Sequence, residues 1–198
     1  MRRSTEDAAR TRAALIDAAL RVFAERGYTA TTLAAVSERA GVTRGAAYHH
    51  FTDKAALFLA TVEEEWTRAA EPIWAHLDEP NVPPLERIRR YLVAFYTALE
   101  RDRRVRDILM ITSYRVEALP ELDAGLRGKR DMMRRWVSQL ATVLSDAELR
   151  DGVDADTAAL AIVAQINGVI VTWFANTDLF SPAARADQLA DTALNGIH

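Results

Sequence analysis

The spacing of apolar residues is the feature that most constrains this chain. Apolar side chains recur at intervals of three and four residues along most of its 198 residues. No run of Val, Ile and Thr alternates with polar residues, as a strand with one exposed face requires. Glycine and proline, which weaken or interrupt helices, number only 8 and 6. The sequence therefore predicts an all-α fold.

Length and composition indicate a globular chain that needs no disulfide or metal for stability. A chain of this length can bury roughly 70% of the surface that its unfolded form exposes. Cysteine is absent, which excludes disulfides, thiolate nucleophiles and Cys-ligated zinc or iron-sulfur clusters. The first residues are polar and lack the apolar region of a secretory signal, so we expect a cytoplasmic location.

Two short helices are predicted on either side of Gly41. Thr32 and Thr43 are suitable N-caps for them, because a threonine oxygen can accept a hydrogen bond from the first helical turn. Gly41 permits the tight turn between the two helices. This spacing is typical of a helix-turn-helix, whose second helix enters the major groove of DNA. A plain corner between two helices of a bundle is the alternative.

Charge is distributed unevenly along the chain. The formal net charge is −3, but residues 1–54 contain nine basic and six acidic side chains, which leaves a net charge of −6 on the remainder. A basic N-terminal unit on an acidic body suggests that the N-terminal end meets a polyanion. A charged surface that is merely solvated is the alternative.

Short motifs at fixed spacing surround the two short helices. They are ALIDAA at 14–19, VFAERGY at 22–28, TTL at 31–33, AGVTRG at 40–45, YHHF at 48–51, DK at 53–54 and LF at 57–58. Together they resemble the DNA-binding domain of the TetR family of transcriptional regulators, over about residues 10–60 without a gap. The resemblance implies a three-helix, helix-turn-helix DNA-binding domain at residues 1–54 and a helical ligand-binding and dimerisation domain at residues 55–198.

The resemblance also implies two kinds of DNA contact. Phosphate contacts are implied for polar side chains at helix starts or on the third helix: Thr32, Thr43, Tyr48, His49 and Lys54. Base reading is implied for Arg44, Gly45 and Ala46, with His49 as a further candidate. An arginine can donate to guanine O6 and N7, whereas glycine and alanine permit close approach to a thymine methyl group.

Six further helices are predicted at about residues 54–72, 85–99, 105–116, 120–144, 155–176 and 182–195. The segment 158–175 is about as long as a membrane span, but it carries Gln165, Asn167 and Thr172, so a buried helix is predicted. In the TetR family the last two helices of each subunit form a four-helix bundle across a dimer axis. Small residues would allow that approach: Ala159, Ala164, Gly168, Ala186, Ala190 and Ala193. A monomeric core is the alternative.

Residues 84–180 also resemble, more weakly, the repressors of multidrug efflux pumps. The similarity lies in Arg106, Ile108-Leu109, Glu117, Asn167-Gly168 and Trp173-Phe174. That subgroup binds apolar compounds, often aromatic or cationic, inside the helical body. The implied pocket has apolar walls and a few polar points: Glu65, Trp66, Phe95, Met110, Tyr114, Glu117, Trp136 and Asn167. The alternative is that the aromatic residues are ordinary core and the carboxylates ordinary surface.

The carboxylates bear on the charge of the effector. A buried glutamate is costly unless a cation or hydrogen bond satisfies it, so a lipophilic cation could pair with Glu65 or Glu117. The alternative is a neutral or anionic effector, with Arg106 or Arg115 as its anchor.

Catalysis is the competing class of function. The chain contains no nucleophile elbow, P-loop, dinucleotide-binding glycine motif or H-E-x-x-H zinc motif. An all-helical hydrolase or carboxylate-bridged metal enzyme is the alternative to a regulator. The sequence predicts a non-enzymatic, ligand-responsive repressor of transcription, with no cofactor and no metal. It would bind a palindromic operator on double-stranded DNA as a homodimer and leave it when a small apolar or lipophilic cationic effector binds.

Overall fold

The computed structural model of the chain describes residues 2–114 and 123–197. The regular structure within those ranges is helical, which confirms the predicted all-α fold. A 3-10 turn, Ala75–Asp78, extends the fourth helix and a π-helical turn, Met110–Tyr114, extends the sixth. The α-helices are α1 (Arg2–Arg26), α2 (Leu33–Arg39), α3 (Arg44–His50), α4 (Lys54–Trp74), α5 (Pro84–Arg101), α6 (Arg103–Leu109), α7 (Asp123–Leu144), α8 (Ala155–Ala175) and α9 (Ala186–Asn195).

The first four helices share one small core. Phe23 of α1, Val36 of α2, Ala47 of α3 and Leu57 of α4 are all completely buried. Burial of Ala47 fixes which face of α3 is turned inward. The opposite face of α3 is therefore left on the surface.

Local side-chain chemistry sets the ends of these helices as the sequence predicts. Gly27 and Gly41 adopt positive φ angles of 78° and 68°, which end α1 and turn the chain between α2 and α3. Four side chains cap helix starts by accepting a hydrogen bond of 2.6–3.2 Å from the backbone N–H three residues on: Thr32, Thr43, Asp53 and Asp154.

Helices α5 to α9 form the body of the chain. The long helix α5 packs against α6, α7 and α9, and α7 packs against α8. Helix α4 packs on α1 and on α6, so it belongs to the packing of both the N-terminal unit and the body. Helix α8 is long and apolar enough to cross a membrane by composition alone, and 39% of its most apolar stretch is buried in the chain.

Two boundaries differ from the prediction, and the end of α4 falls within the extension past Pro72 that residues Ile73, Trp74 and Leu77 allow. Helix α6 changes to π geometry at Met110 instead of continuing regularly, and residues 115–122, with the predicted start at Pro120, lie outside the described residues. Helix α4 continues through Pro72 to Trp74. Helix α9 begins at Ala186 rather than Pro182, because the intervening turn is held by Glu100, whose carboxylate accepts hydrogen bonds from the Ser181 hydroxyl and a backbone N–H.

Candidate DNA-binding surface and interior cavity

The residues predicted to meet DNA lie on the outer face of the helix-turn-helix. Helix α3 turns its buried face to the core through Ala47, and its cap and remaining positions point outward. Ala46 and Lys54 are half-buried, and the other six candidates are exposed: Thr32, Thr43, Arg44, Gly45, Tyr48 and His49. The structure therefore brings the candidate base-reading and phosphate-binding groups of α3 onto one surface.

Arg44 and Tyr48 contact each other one helical turn apart. Arg44 Nη2 donates to the Tyr48 hydroxyl over 3.4 Å, and its guanidinium carbon lies 5.5 Å from the centre of the Tyr48 ring. Residues four apart on a helix are neighbours, so this pairing is local. Tyr48 thus has a partner within α3 in addition to the phosphate contact predicted for it.

Lys54 lies in a different environment from the one expected of a free phosphate ligand. Its Nζ donates to the carbonyl oxygens of Tyr28 and Thr29 over 3.0 and 3.4 Å, and it lies 4.2 Å from the centre of the Tyr28 ring. An ammonium has three donors, so one remains for another acceptor. A phosphate contact by Lys54 stays a prediction, while its structural role is to join α4 to the turn after α1.

A narrow cavity lies between α4, α5 and α6. Two of the predicted pocket residues, Trp66 and Phe95, line it. A third predicted residue, Trp136, packs on both, with ring-centre distances of 6.1 Å to Trp66 and 5.9 Å to Phe95. Two further aromatic residues of the wall, Trp74 and Tyr91, were not predicted. Their signal was present in the sequence, since Tyr91 lies four residues before Phe95 and Trp74 eight after Trp66. We call these five residues the aromatic cluster.

The aromatic cluster contains one strong internal hydrogen bond. Trp136 Nε1 donates to the Tyr91 hydroxyl over 2.6 Å, and both side chains are buried. Burial raises the pKa of Tyr91, so its phenol stays protonated and its own proton is available. The remaining walls are aliphatic: Ala69, Ala70, Ile73, Val105, Ile108 and Leu109.

The cavity is smaller than a ligand site. Its volume is about 10 Å³, close to the space of a single water molecule. Sites for drug-sized compounds enclose about 300–1,000 Å³. A ligand of that size could enter here only if α4, α5 and α6 moved apart.

Glu65 does not line this cavity, which departs from the expectation. Its side chain is completely buried and forms ion pairs with Arg68, at 2.7 Å, and with Arg104. Arg104 in turn pairs with Asp17 of α1 at 3.0 Å. The cation that a buried carboxylate requires is therefore supplied by the chain itself, and not by a ligand.

The other predicted pocket residues are dispersed. Met110 is half-buried at the start of the π-helical turn. Tyr114 is 43% exposed and packs on Phe174 with ring centres 5.6 Å apart. Asn167 donates to the carbonyl of Val163 within α8. Glu117 lies outside the described residues.

One face of α8 is apolar and exposed. Leu160 and Val171 are 59% and 46% exposed, and small residues occupy the positions between them, including Ala164 and Gly168. Ala159 and Ala190 differ from Gly168, because both are completely buried within the chain. The expectation that Ala159, Ala186, Ala190 and Ala193 form part of a surface for a partner helix is therefore wrong; these four residues pack inside the chain itself.

Among the side chains that the structure describes, those of residues 6–114 and 131–197, no group of three or more could hold a metal ion.

Comparison with known proteins agrees with this arrangement. Residues 15–61 match the family described as bacterial regulatory proteins, tetR family, and residues 83–198 match the C-terminal region of the MAATS-type transcriptional repressors. The transcriptional regulator TtgR of Pseudomonas putida is 33% identical over 200 residues, which cover 98% of this chain and 95% of TtgR.

Solved structures show the same fold. NalD, the secondary repressor of the MexAB-OprM multidrug efflux pump in Pseudomonas aeruginosa, superposes with a TM-score of 0.80 at 26% identity and covers 97% of this chain and 98% of its own. A complex of SmeT with triclosan gives the same TM-score and identity over 94% of this chain and 91% of SmeT, the repressor of the Stenotrophomonas maltophilia efflux pump SmeDEF. The chain belongs to the tetR family of bacterial regulatory proteins and is a DNA-binding transcriptional repressor of that family.

Proposed function

We propose that this repressor reads a palindromic operator through α3, binds it as a homodimer in the cytoplasm, and leaves it when an apolar effector opens the cavity between α4, α5 and α6. The observation that carries the proposal is the outward face of α3, on a unit that α4 joins directly to the cavity wall. The names of the relatives support repression of transcription and favour it over the all-helical enzyme.

DNA binding would divide between two groups of side chains. Arg44 would read a guanine, with Gly45 and Ala46 close to the base edges. Exposed hydroxyl and imidazole groups at the ends of the helices would contact phosphates, namely Thr32, Thr43 and His49. The N-termini of α2 and α3 would add backbone N–H donors to the same phosphates.

The exposed face of α8 would form the centre of the dimer. An apolar face of this length on a surface helix is a common feature of protein interfaces. The small residues Ala164 and Gly168 lie along it, and a Cβ added at Gly168 would meet no atom of the same chain within 4 Å. A partner helix can therefore approach α8 closely. From α9 the interface would take the outward polar side chains, such as Gln188 and Thr192, rather than its buried alanines.

The effector would be a neutral aromatic compound. The cavity walls contain aromatic and aliphatic groups but no carboxylate, and Glu65 is already paired with two arginines. Stacking on tryptophan and a hydrogen bond to the Tyr91 hydroxyl would hold such a compound. Triclosan in the SmeT complex is a compound of this chemistry.

Binding of DNA from the region upstream of the repressor's own gene tests the proposal. Fluorescence anisotropy should show saturable binding that random DNA of equal length does not reproduce at the same salt concentration. Arg44→Ala should weaken that binding, and Arg101→Ala, which removes an exposed arginine of α5, should not. Equal binding of wild-type protein to both DNAs would contradict the proposal.

The effector is tested through tryptophan fluorescence. Three of the four tryptophans belong to the aromatic cluster, so Trp173→Phe leaves a signal that comes from the cavity. Triclosan should quench this signal and release the operator, whereas a cationic dye such as ethidium should do neither. If the dye quenches the fluorescence of the otherwise wild-type protein but not that of Glu117→Gln, the effector is a cation and not a neutral compound.

A further inference from the structure

We propose that Arg104 is the positioning residue that sets the orientation of the DNA-binding helices on the body. Its guanidinium pairs with Asp17 of α1 at 3.0 Å and, through its other terminal nitrogen, with Glu65 of α4. Arg104 itself lies in the first turn of α6. We call Asp17, Arg104 and Glu65 the Arg104 triad. The inference rests on the proposed function, because it concerns how the cavity communicates with the operator.

The two arms of the triad differ in strength. Glu65 is completely buried, and a buried carboxylate that loses a cationic partner carries a large desolvation cost. Each carboxylate has a second cation in its own helix, Arg68 for Glu65 and Arg21 for Asp17. The Asp17 side chain, however, is 36% exposed, so water can replace Arg104 there. Arg104 therefore remains with Glu65, and the contact to Asp17 is the one that opens when α6 moves.

The triad lies directly behind the cavity wall. Trp66, which follows Glu65, and Val105, which follows Arg104, both line the cavity. A ligand that widens a space of about 10 Å³ must displace the part of the wall that α6 contributes. The backbone of α6 transmits that movement to Arg104 one residue away.

Helix α6 is suited to such a displacement. It has seven residues of regular helix before it passes into the π-helical turn, a geometry that is rare and is frequent at functional sites. A second contact between the same helices, Arg103 with Glu25 of α1, is long at 3.7 Å. The Asp17–Arg104 pair, at 3.0 Å, is therefore the shorter of these two contacts between α1 and α6.

Arg12 and Glu64 keep α1 attached to α4 when that pair opens. Arg12 donates to the Glu64 carboxylate over 2.8 Å, and its guanidinium carbon lies 5.4 Å from the ring centre of Phe51 at the end of α3. Loss of the Asp17 contact would thus leave α1 hinged on α4 instead of detached. The expected result is a change in the orientation of α3 and not an unfolded N-terminal unit.

Spin-label distances within one chain test this inference without DNA or effector. The chain has no cysteine, so Glu38→Cys on α2 and Gln139→Cys on α7, both exposed positions, give two unique labels. Labelled protein is diluted with an excess of unlabelled protein, so that only distances within a chain contribute. Double electron-electron resonance should give one narrow distance distribution in the otherwise wild-type protein, and a broader or shifted one in Asp17→Asn.

Arg21→Gln is the matched control, because it removes the other cation of Asp17 without touching α6. It should retain the narrow distribution, and Asp17→Glu should restore part of it. Arg104→Gln should broaden the distribution as well; if this variant fails to fold because Glu65 loses a partner, Asp17→Asn still decides. A distribution in Asp17→Asn that matches the wild type would overturn the inference.

Operator affinity supplies the second readout. Asp17→Asn should lower operator affinity by about three- to tenfold with an unchanged salt dependence, because Asp17 meets α6 rather than a phosphate. An unchanged affinity would overturn the role of the triad in DNA binding. Failure of the proposed function would give a different result. Wild-type protein would then bind its upstream DNA no better than random DNA, whatever the spin-label distances show.

Discussion

The ammonium of Lys54 lies 3.0 Å from the carbonyl oxygen of Tyr28 and 4.2 Å from the centre of its ring. This contact joins the first residue of α4 to the turn that follows α1. The helices α2 and α3 lie between these two points in the sequence. The contact therefore closes the helix-turn-helix unit at its base, whatever Lys54 does with DNA.

Replacement of Lys54 should consequently lower stability as well as DNA affinity. Lys54→Met keeps the aliphatic stem and loses the ammonium, so the Tyr28 carbonyl loses a charged donor. We expect the free energy of unfolding in urea to fall by about 1–2 kcal/mol at an unchanged m-value. A midpoint equal to that of the wild type would show that the contact adds nothing to the fold.

Arg44 and Tyr48 should act as a unit in DNA recognition. Arg44→Ala should weaken operator binding by about 1–3 kcal/mol and relax the preference at one base pair, with little effect on random DNA. If Tyr48 acts by holding the guanidinium, Tyr48→Phe should weaken operator binding in the wild type and have no effect in the Arg44→Ala background. Additive losses in anisotropy titrations would instead assign Tyr48 its own contact with DNA.

Substitutions at Gly168 and Ala190 distinguish the proposed dimer interface from the core of the subunit, because Gly168 is exposed and Ala190 is buried. Gly168→Glu places a charge on the exposed face of α8, so we expect a monomer in sedimentation velocity with near wild-type helicity. Ala190→Glu buries the same charge inside the chain and should unfold it. Gln139→Glu, at an exposed position of α7, is the control for charge alone. Wild-type protein that is monomeric at micromolar concentration would contradict the interface.

Asp107 should make stability depend on pH. Burial raises the pKa of this carboxyl above its ordinary value of 3.8, against the opposing effect of Arg103 and Arg106. The folded state therefore disfavours the ionised form, and this cost is fully present above the folded pKa and vanishes below 3.8.

Asp107→Asn should accordingly be more stable than the wild type at pH 7, and the difference should shrink as the pH falls through the folded pKa. Urea unfolding of the two proteins at pH 7 and at pH 4 measures the difference in stability and its decrease at low pH. A less stable Asp107→Asn at pH 7 would show that the ion pair with Arg103, at 3.4 Å, outweighs burial.

Local features of this fold could be predicted from the sequence, and long-range ones could not. The caps Thr32, Thr43 and Asp154 act on backbone groups three residues away, so sequence alone locates them. Glu65 has one local partner, Arg68, but its other partner, Arg104, lies 39 residues further on, and no local pattern joins that pair. Without that partner, burial of Glu65 pointed to a ligand cation.

Helices α8 and α9 illustrate the same limit. Their small residues could be recognised, but which of them face inward depends on how α9 packs on α5 and how α8 packs on α7. In the folded chain Ala190 is buried and Gly168 is exposed. A nearly uniform apolar pattern contains no face that distinguishes core from interface. The aromatic cluster was likewise predicted only in part, because the approach of Trp74 to Tyr91 and Trp136 depends on how α4, α5 and α7 pack together.

A DNase I footprint on the DNA upstream of the repressor's own gene tests the central claim most directly. Two copies of α3 related by a dimer axis should protect a two-fold symmetric site, with half-site centres one helical turn, about 34–36 Å, or a multiple of it apart. Arg44→Ala should abolish that protection at the same protein concentration. A protected region without two-fold symmetry, or protection that Arg44→Ala leaves intact, would contradict the account.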